Sequence, residues 1–233
     1  MLTVALIGNP NVGKTEIFNW LTGLKQHVGN WPGVTVEKKT GKCEYDGEEM
    51  EIVDLPGTYS LTANALDELV ARDYIVEGKP DVVVDIVNGT SLERNLYLTL
   101  LLLELEANVV VALNQWDIVK ERGTEIELDK LSEFLGVPVV PTVATTGEGL
   151  EDLKEVVLTA AKNKERRRKV ELGYGEDIES LIKKVENEIS KDESLSKKYP
   201  PRWLAIKTLE KDEKVLELIE NSQYRDEIMG VAK

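Results

Sequence analysis

The run GNPNVGKT, from Gly8 to Thr15, carries the clearest chemistry in the chain. It follows a short apolar run, Leu2 to Ile7, and precedes a stretch of helical character from about Thr15 to Thr22 that Gly23 stops. Glycines at 8 and 13 permit a backbone that wraps an anion, with Asn9, Pro10, Asn11 and Val12 forming the wrap. The N-terminus of the following helix adds a favourable dipole. Lys14 is suited to neutralising the β- and γ-oxygens of a nucleoside triphosphate, and the Thr15 hydroxyl to ligating Mg²⁺. The chemistry implied is phosphate binding and phosphoryl transfer.

Two further strings extend that reading. DLPG (Asp54, Leu55, Pro56, Gly57) closes an apolar stretch about forty residues further on. An acidic residue ending a strand beside a phosphate loop can hold Mg²⁺ directly or through water, and Gly57 can offer its N–H to a γ-phosphate and pivot between states. NQWD, from Asn114 to Asp117, ends another apolar strand. A carboxylate there accepts both N–H donors on the Watson–Crick edge of guanine, where adenine presents an acceptor. Setting a buried carboxylate against an acceptor costs on the order of several kcal/mol, so GTP is expected over ATP. Each short string is weak alone; their order and their positions at strand ends make them specific.

The elements that must position these residues alternate. Apolar strands are expected at 2–7, 82–87, 109–113 and 137–140, with helices near 67–77, 91–105, 128–135 and 150–163. Two alternating stretches, 38–45 and 49–54, flank the hairpin signal Asp46-Gly47. This pattern predicts an α/β fold: a mostly parallel sheet with helices on both faces and one antiparallel hairpin strand. Leu24 to Val36 reads as a polar segment too long for a plain connection, hence functional. After about residue 165 no apolar strand run appears. Amphipathic stretches at 176–190, 202–210 and 212–221 predict a small all-α domain, giving a division into residues 1–164 and 165–233.

Composition bounds the rest. Of the formal net charge of −14, all but one unit belongs to residues 1–164, a poor surface for a phosphate backbone, so no nucleic-acid partner is expected. The basic run Arg166 to Lys169 reads as a solvated linker or helix end. No apolar stretch is long enough to span a bilayer, and the opening residues read as a strand, not a signal peptide. The single cysteine, Cys43, excludes an internal disulfide and suits a structural position in a strand. Trp20 and Trp203 read as core or domain-interface anchors, and Trp31 equally as a nucleotide cover or core residue. His27, alone in its loop, reads as a surface residue. No cluster has iron-ligand spacing.

In order and spacing the motifs resemble the small-GTPase set, which implies a P-loop NTPase (Ras-like) fold. In GVTVE, Gly33, Val34 and Thr35 resemble switch I, and Thr35 its γ-phosphate-sensing threonine. The longer strings QHVGNWPGVTVEKK (26–39), DLPGTYSL (54–61), LERNLYLTLLLLE (92–104) and PRWLAIKTLE (201–210) resemble the FeoB-type ferrous iron transporters across nearly the whole chain. The resemblance implies Mg²⁺-dependent GTP binding and hydrolysis at the cytoplasmic face of a membrane. It also implies, as partner, an iron permease domain of the same parent chain beyond this sequence. A homo-oligomer is left open.

Three departures stand out. Gln115 replaces the lysine that commonly lies under guanine. The fifth motif reads Val143-Ala144 where Ser-Ala is usual, leaving the Ala144 N–H but no hydroxyl to steady Asp117. Thr58 stands where Ras-like proteins keep a water-orienting glutamine, which implies slow turnover or another catalytic device. One device comes from the resemblance to potassium-activated GTPases at Asn11: its carbonyl, with backbone carbonyls from Gly29 to Trp31, is a candidate K⁺ site. Lys14, Thr35, Gly57 and Asn11 are thus the expected catalytic group. Two other readings stay open: a nucleotide-operated binding switch with incidental hydrolysis, and a ribosome- or tRNA-linked GTPase.

Overall fold

A computed structural model describes residues 1–23, 26–62, 65–163 and 172–232. Its centre is a seven-stranded sheet: β1 (Leu2–Gly8), β2 (Gln26–Asn30), β3 (Glu37–Tyr45), β4 (Glu48–Asp54), β5 (Val82–Asn88), β6 (Val109–Asn114) and β7 (Val139–Pro141), in the order β2-β3-β4-β1-β5-β6-β7. β4, β1, β5, β6 and β7 run parallel, while β3 is antiparallel to β4 and to β2. The central strands β1, β5 and β6 are nearly continuous apolar runs because both of their faces are covered. Asp46 and Gly47 both take positive φ (50° and 73°), the backbone a two-residue hairpin demands.

Strand alternation splits the core into two layers. Val4, Leu6, Val84 and Ile86 face α1 (Lys14–Thr22) and, further along the chain, the helix Leu150–Lys162. Ala5, Ile7, Val83 and Val87 face the helices Leu66–Asp73 (α2) and Leu92–Glu104 (α3). Phe18 is fully buried in the first layer, where truncation to alanine would cost about 3–5 kcal/mol. The remaining helices of this region are α4 (Trp116–Glu121), α5 (Leu128–Leu135) and α6, the Leu150–Lys162 helix named above.

Among the described residues, five further helices, α7 (Glu176–Ile189), α8 (Glu193–Ser196), α9 (Pro201–Leu209), α10 (Glu213–Glu220) and α11 (Arg225–Val231), form the C-terminal region. Ile182, Val185, Trp203 and Ile219 continue the apolar layer that begins under α2 and α3, so the two regions share one buried surface. Arg72 of α2 lies over the Trp203 ring and pairs with Asp212, and Lys198 pairs with Glu77. The expected boundary at 164/165 and the basic run Arg166 to Lys169 fall outside the described residues. No helix among the described residues is long and apolar enough to cross a membrane.

Several expectations are corrected. Residues 26–30, expected within a long irregular segment, form strand β2; all five are exposed, so an edge strand leaves no apolar alternation to read. The helix expected over 67–77 ends at Asp73 and widens into a π-helical turn, Tyr74–Gly78. A Cβ at position 78 would stand 3.1 Å from the Tyr74 ring, so glycine admits the ring there. α4, α8 and α11 went unread, having four to seven residues each and too few turns to show a period. Trp20 is an exposed residue and not a core anchor, whereas Trp203 does sit between the two regions. Trp31 packs into the core edge-on to Tyr74, with centroids 5.1 Å apart. His27 is exposed on β2, and Cys43 is buried, which pushes its thiol pKa up.

Candidate functional site: a phosphate and base cleft at the strand ends

The loop after β1 is closed in on both sides. A Cβ at Gly8 would stand 2.6 Å from the Ile86 carbonyl oxygen, and one at Gly13 (φ +92°) would stand 2.3 Å from Asn114 Nδ2. Both positions therefore need glycine for space, and Gly13 also for its backbone. Asn11 between them holds a left-handed φ of 64°, an uncommon conformation that asparagine tolerates. The loop leads directly into α1, whose first residues are Lys14 and Thr15.

Asn114, at the last position of β6, ties the parts together. Its Nδ2 donates to the Val12 carbonyl at 2.7 Å, and its Oδ1 accepts from the Ala144 N–H at 3.0 Å and the Thr142 hydroxyl at 3.4 Å. One buried amide thus joins the phosphate loop to the loop after β7 across 102 and 30 residues of sequence. Gln115 takes a positive φ of 59° and turns the chain into α4, which presents Asp117 from its first turn.

These elements enclose a cleft of about 560 Å³. Asn9, Pro10, Asn11, Gly13, Lys14, Thr15, Gly57, Asn114, Gln115, Asp117, Val143 and Ala144 line it, so the phosphate, DLPG and NQWD strings converge on one volume. Glu16, Ile118 and Thr145 also line it, unread from the sequence because no motif marks them. Gly8 and Val12 are buried and lie outside the cleft lining, as do buried Leu55 and half-buried Pro56. Asp54 is buried beside the cleft with its carboxylate paired to the Lys14 ammonium. Asp117, which the sequence argument takes as a buried carboxylate, is exposed on the cleft wall. The Ala144 N–H is already engaged by Asn114.

Switch I lies apart from the cleft lining. Thr35 and Gly33 are exposed and Val34 half-buried, while Gly29 pairs opposite Lys38 in the hairpin of β2 and β3. The Trp31 carbonyl accepts from the Val34 N–H at 3.3 Å. Of the three candidate K⁺ ligands only Asn11 lines the cleft. Thr58 turns its hydroxyl onto the Ser60 carbonyl at 2.7 Å, inside its own loop. Next to it, Arg94 of α3 covers the Tyr59 ring at 4.6 Å, which places an arginine beside the DLPG loop.

The donor set suits Mg²⁺. Thr15 offers a hydroxyl oxygen and Asp54 a carboxylate, both hard ligands, and Mg²⁺ ordinarily takes one or two carboxylates with phosphates and water completing its shell. Asn9 Oδ1, in the cleft lining, is buried without a partner, a further polar atom suited to ordered water or ligand. Among the described residues, no group of three or more His, Cys, Asp or Glu side chains could hold a metal by itself.

Comparison with known proteins agrees with this architecture. Residues 2–157 match the family model of ferrous iron transport protein B, and residues 174–231 that of the FeoB cytosolic helical domain. The Fe(2+) transporter FeoB of Methanocaldococcus jannaschii is 54% identical over 228 residues, 98% of this chain and 33% of that protein. This chain therefore spans about a third of its length. The cytosolic domain of the T. maritima FeoB iron transporter in a GDP form is 43% identical with a TM-score of 0.89, covering 100% of this chain and 94% of that one. Its GMPPNP form is 44% identical with a TM-score of 0.86, covering 99% and 91%. The seven-stranded sheet, its P-loop cleft and the helical region after it are those of a FeoB cytosolic region, and the chain belongs to the ferrous iron transport protein B family.

Proposed function

We propose that this chain binds guanine nucleotides and hydrolyses GTP slowly to GDP and phosphate, and that this cycle regulates or drives ferrous iron uptake through a membrane domain of a longer parent protein. The carrying observation is the Asn114 junction, which sets the phosphate loop and the NQWD carboxylate on one cleft. That its relatives are FeoB proteins, one of them solved with GDP and with GMPPNP, supports the same reading.

In this reading the backbone from Gly8 to Gly13 wraps the β-phosphate, and Lys14 leaves Asp54 to neutralise the β- and γ-oxygens. Thr15 and Asp54 would hold Mg²⁺, with Thr35 a further ligand if switch I closes; the bound ion would supply charge neutralisation at the phosphates. Gly57 donates its N–H to the γ-phosphate. Asp117 accepts from the guanine edge, and Gln115 lends only its aliphatic stem to the base. Because Asn114 already holds the Ala144 N–H, contact with the guanine oxygen falls to the next peptide, Thr145, which lines the cleft. Water attacks the γ-phosphorus as the bond to the β–γ bridging oxygen breaks.

Slow turnover rests on Thr58, whose hydroxyl is committed to Ser60 and is too short to orient that water. The same observation favours a second reading, in which the nucleotide operates a binding switch and hydrolysis is incidental. K⁺ stimulation rests on Asn11 alone. Phosphate release from GTP, followed with Mg²⁺ and with EDTA, tests the enzymatic reading. Turnover that needs Mg²⁺ and is abolished in Lys14→Ala is expected; equal release in EDTA contradicts it.

A further inference from the structure

Trp20 is a large apolar side chain left 38% exposed on α1, outside both core layers. It has a neighbour that the chain has shaped around it. A Cβ built on Gly147 would stand 2.5 Å from Trp20 Nε1 and 3.1 Å from its Cε2, so the indole edge lies directly on the Gly147 backbone. Gly147 also holds φ at +83°, in the left-handed region. Lys154 of α6 stands 4.6 Å from the indole centroid, completing a small packed group at the surface.

Gly147 belongs to the turn that presents the base loop. The Gly147 N–H donates to the Val143 carbonyl at 2.9 Å, and the Val143 N–H donates to the Glu148 carbonyl at 3.0 Å, closing the turn across its neck. Val143, Ala144 and Thr145 on its inner side line the cleft. Val143 is buried and has no hydroxyl, so the order of this loop comes from the turn's own backbone hydrogen bonds, the Asn114 bond and packing. On the outer side a further tether is the ion pair Lys120–Glu148 at 3.3 Å between exposed side chains, a weak restraint. α1 is also the helix that begins with Lys14 and Thr15. Trp20 therefore links the helix that receives the phosphates to the loop that receives the base.

We propose that Trp20 is a positioning residue that acts through Gly147 to hold the loop Val143 to Thr145 closed on the guanine, and so slows nucleotide release. This rests on the guanine-nucleotide reading above. An aromatic contact of this kind changes the escape of a bound base more than its arrival, since related interfaces differ mostly in dissociation rate.

The test is stopped-flow binding and chase of mant-GDP with the parent, Trp20→Ala and Trp20→Phe. Alanine suits an exposed helix position, so α1 is expected to survive the change. Release from Trp20→Ala is expected to be roughly tenfold faster, with association within about twofold and partial rescue by phenylalanine. Unchanged release, or slowed association with release intact, overturns the proposal. A second arm asks whether the effect passes through Gly147. Gly147→Ala strains the turn and collides with the indole, so its effect in a Trp20→Ala background should be smaller than in the parent. Full additivity overturns the Gly147 route. A parent that holds mant-GDP no better than mant-ADP fails the guanine reading, and this proposal with it; a guanine-selective parent with unchanged Trp20→Ala release fails this proposal alone.

Discussion

The Arg72 guanidinium lies 3.0 Å from the Asp212 carboxylate, and both side chains are almost completely buried, at 4% and 5% exposure. Arg72 is on α2, the helix that follows the DLPG loop; Asp212 caps α10 by accepting from the Val215 N–H at 3.1 Å. The pair therefore joins the helix after the DLPG loop to the helical region. Removing one partner strands a buried charge, which costs about 3–5 kcal/mol. Arg72→Ala should lose roughly that much in urea denaturation, while Asp212→Asn, which keeps a capping oxygen, should lose less. A loss in Arg72→Ala no larger than that of an exposed pair would show that the contact is incidental.

Asp85 is a buried carboxyl that forms no ion pair among the described residues. It sits on β5 facing the α2–α3 layer, with one oxygen accepting from the Thr99 hydroxyl at 2.6 Å and the other without a partner. Burial raises its pKa to about 7, opposed by the Thr99 bond. The folded state thus binds this proton more tightly than the unfolded state. Its stabilising contribution is full below the unfolded value near 3.8 and is lost as pH rises toward 7, then levels off. Asp85→Asn should flatten that slope and be the more stable protein at pH 8, by on the order of a few kcal/mol. Parallel pH profiles for parent and variant would contradict the assignment.

Thr35 stands exposed and away from the cleft, so its role requires residues 31–36 to close over a triphosphate. Thr35→Ala should leave GDP affinity nearly intact and slow GTP hydrolysis. Equal loss of GDP affinity in calorimetry would make Thr35 a structural residue.

A cation at Asn11 predicts GTP turnover faster in KCl than in NaCl at equal ionic strength, with the difference lost in Asn11→Ala. Equal turnover of the parent in both salts would leave the transition-state charge to another group, and Arg94 beside Tyr59 would be the first arginine to substitute.

The sequence displayed the central sheet and the phosphate cleft because those features rest on strong local signals. Continuous valine runs mark β5 and β6, Gly8 has no room for a side chain, and Gly13 and Asp46-Gly47 hold positive φ. What it hid depends on contacts between distant residues. Strand β2 exists through its pairing with β3, since none of its own residues is buried. The exposure of Trp20 and its seat on Gly147 belong to a pair 127 residues apart, with no pattern in either local sequence. The engagement of Ala144 by Asn114 and of Thr58 by Ser60 likewise follows from folded geometry, and each changes the role the motif alone suggests.

The central claim is guanine selectivity resting on Asp117, and calorimetry with GDP, GTP, ADP and ATP tests it most directly. Asp117 is exposed on the cleft wall, so under the proposed function its discrimination would arise when the base itself excludes water from the carboxylate. The parent should bind GDP and GTP at least roughly a hundredfold more tightly than ADP and ATP, and Asp117→Asn should lose most of that preference by weakening the guanine nucleotides alone. Adenine nucleotides binding as tightly as guanine nucleotides to the parent, or an Asp117→Asn variant with its selectivity intact, would contradict the account.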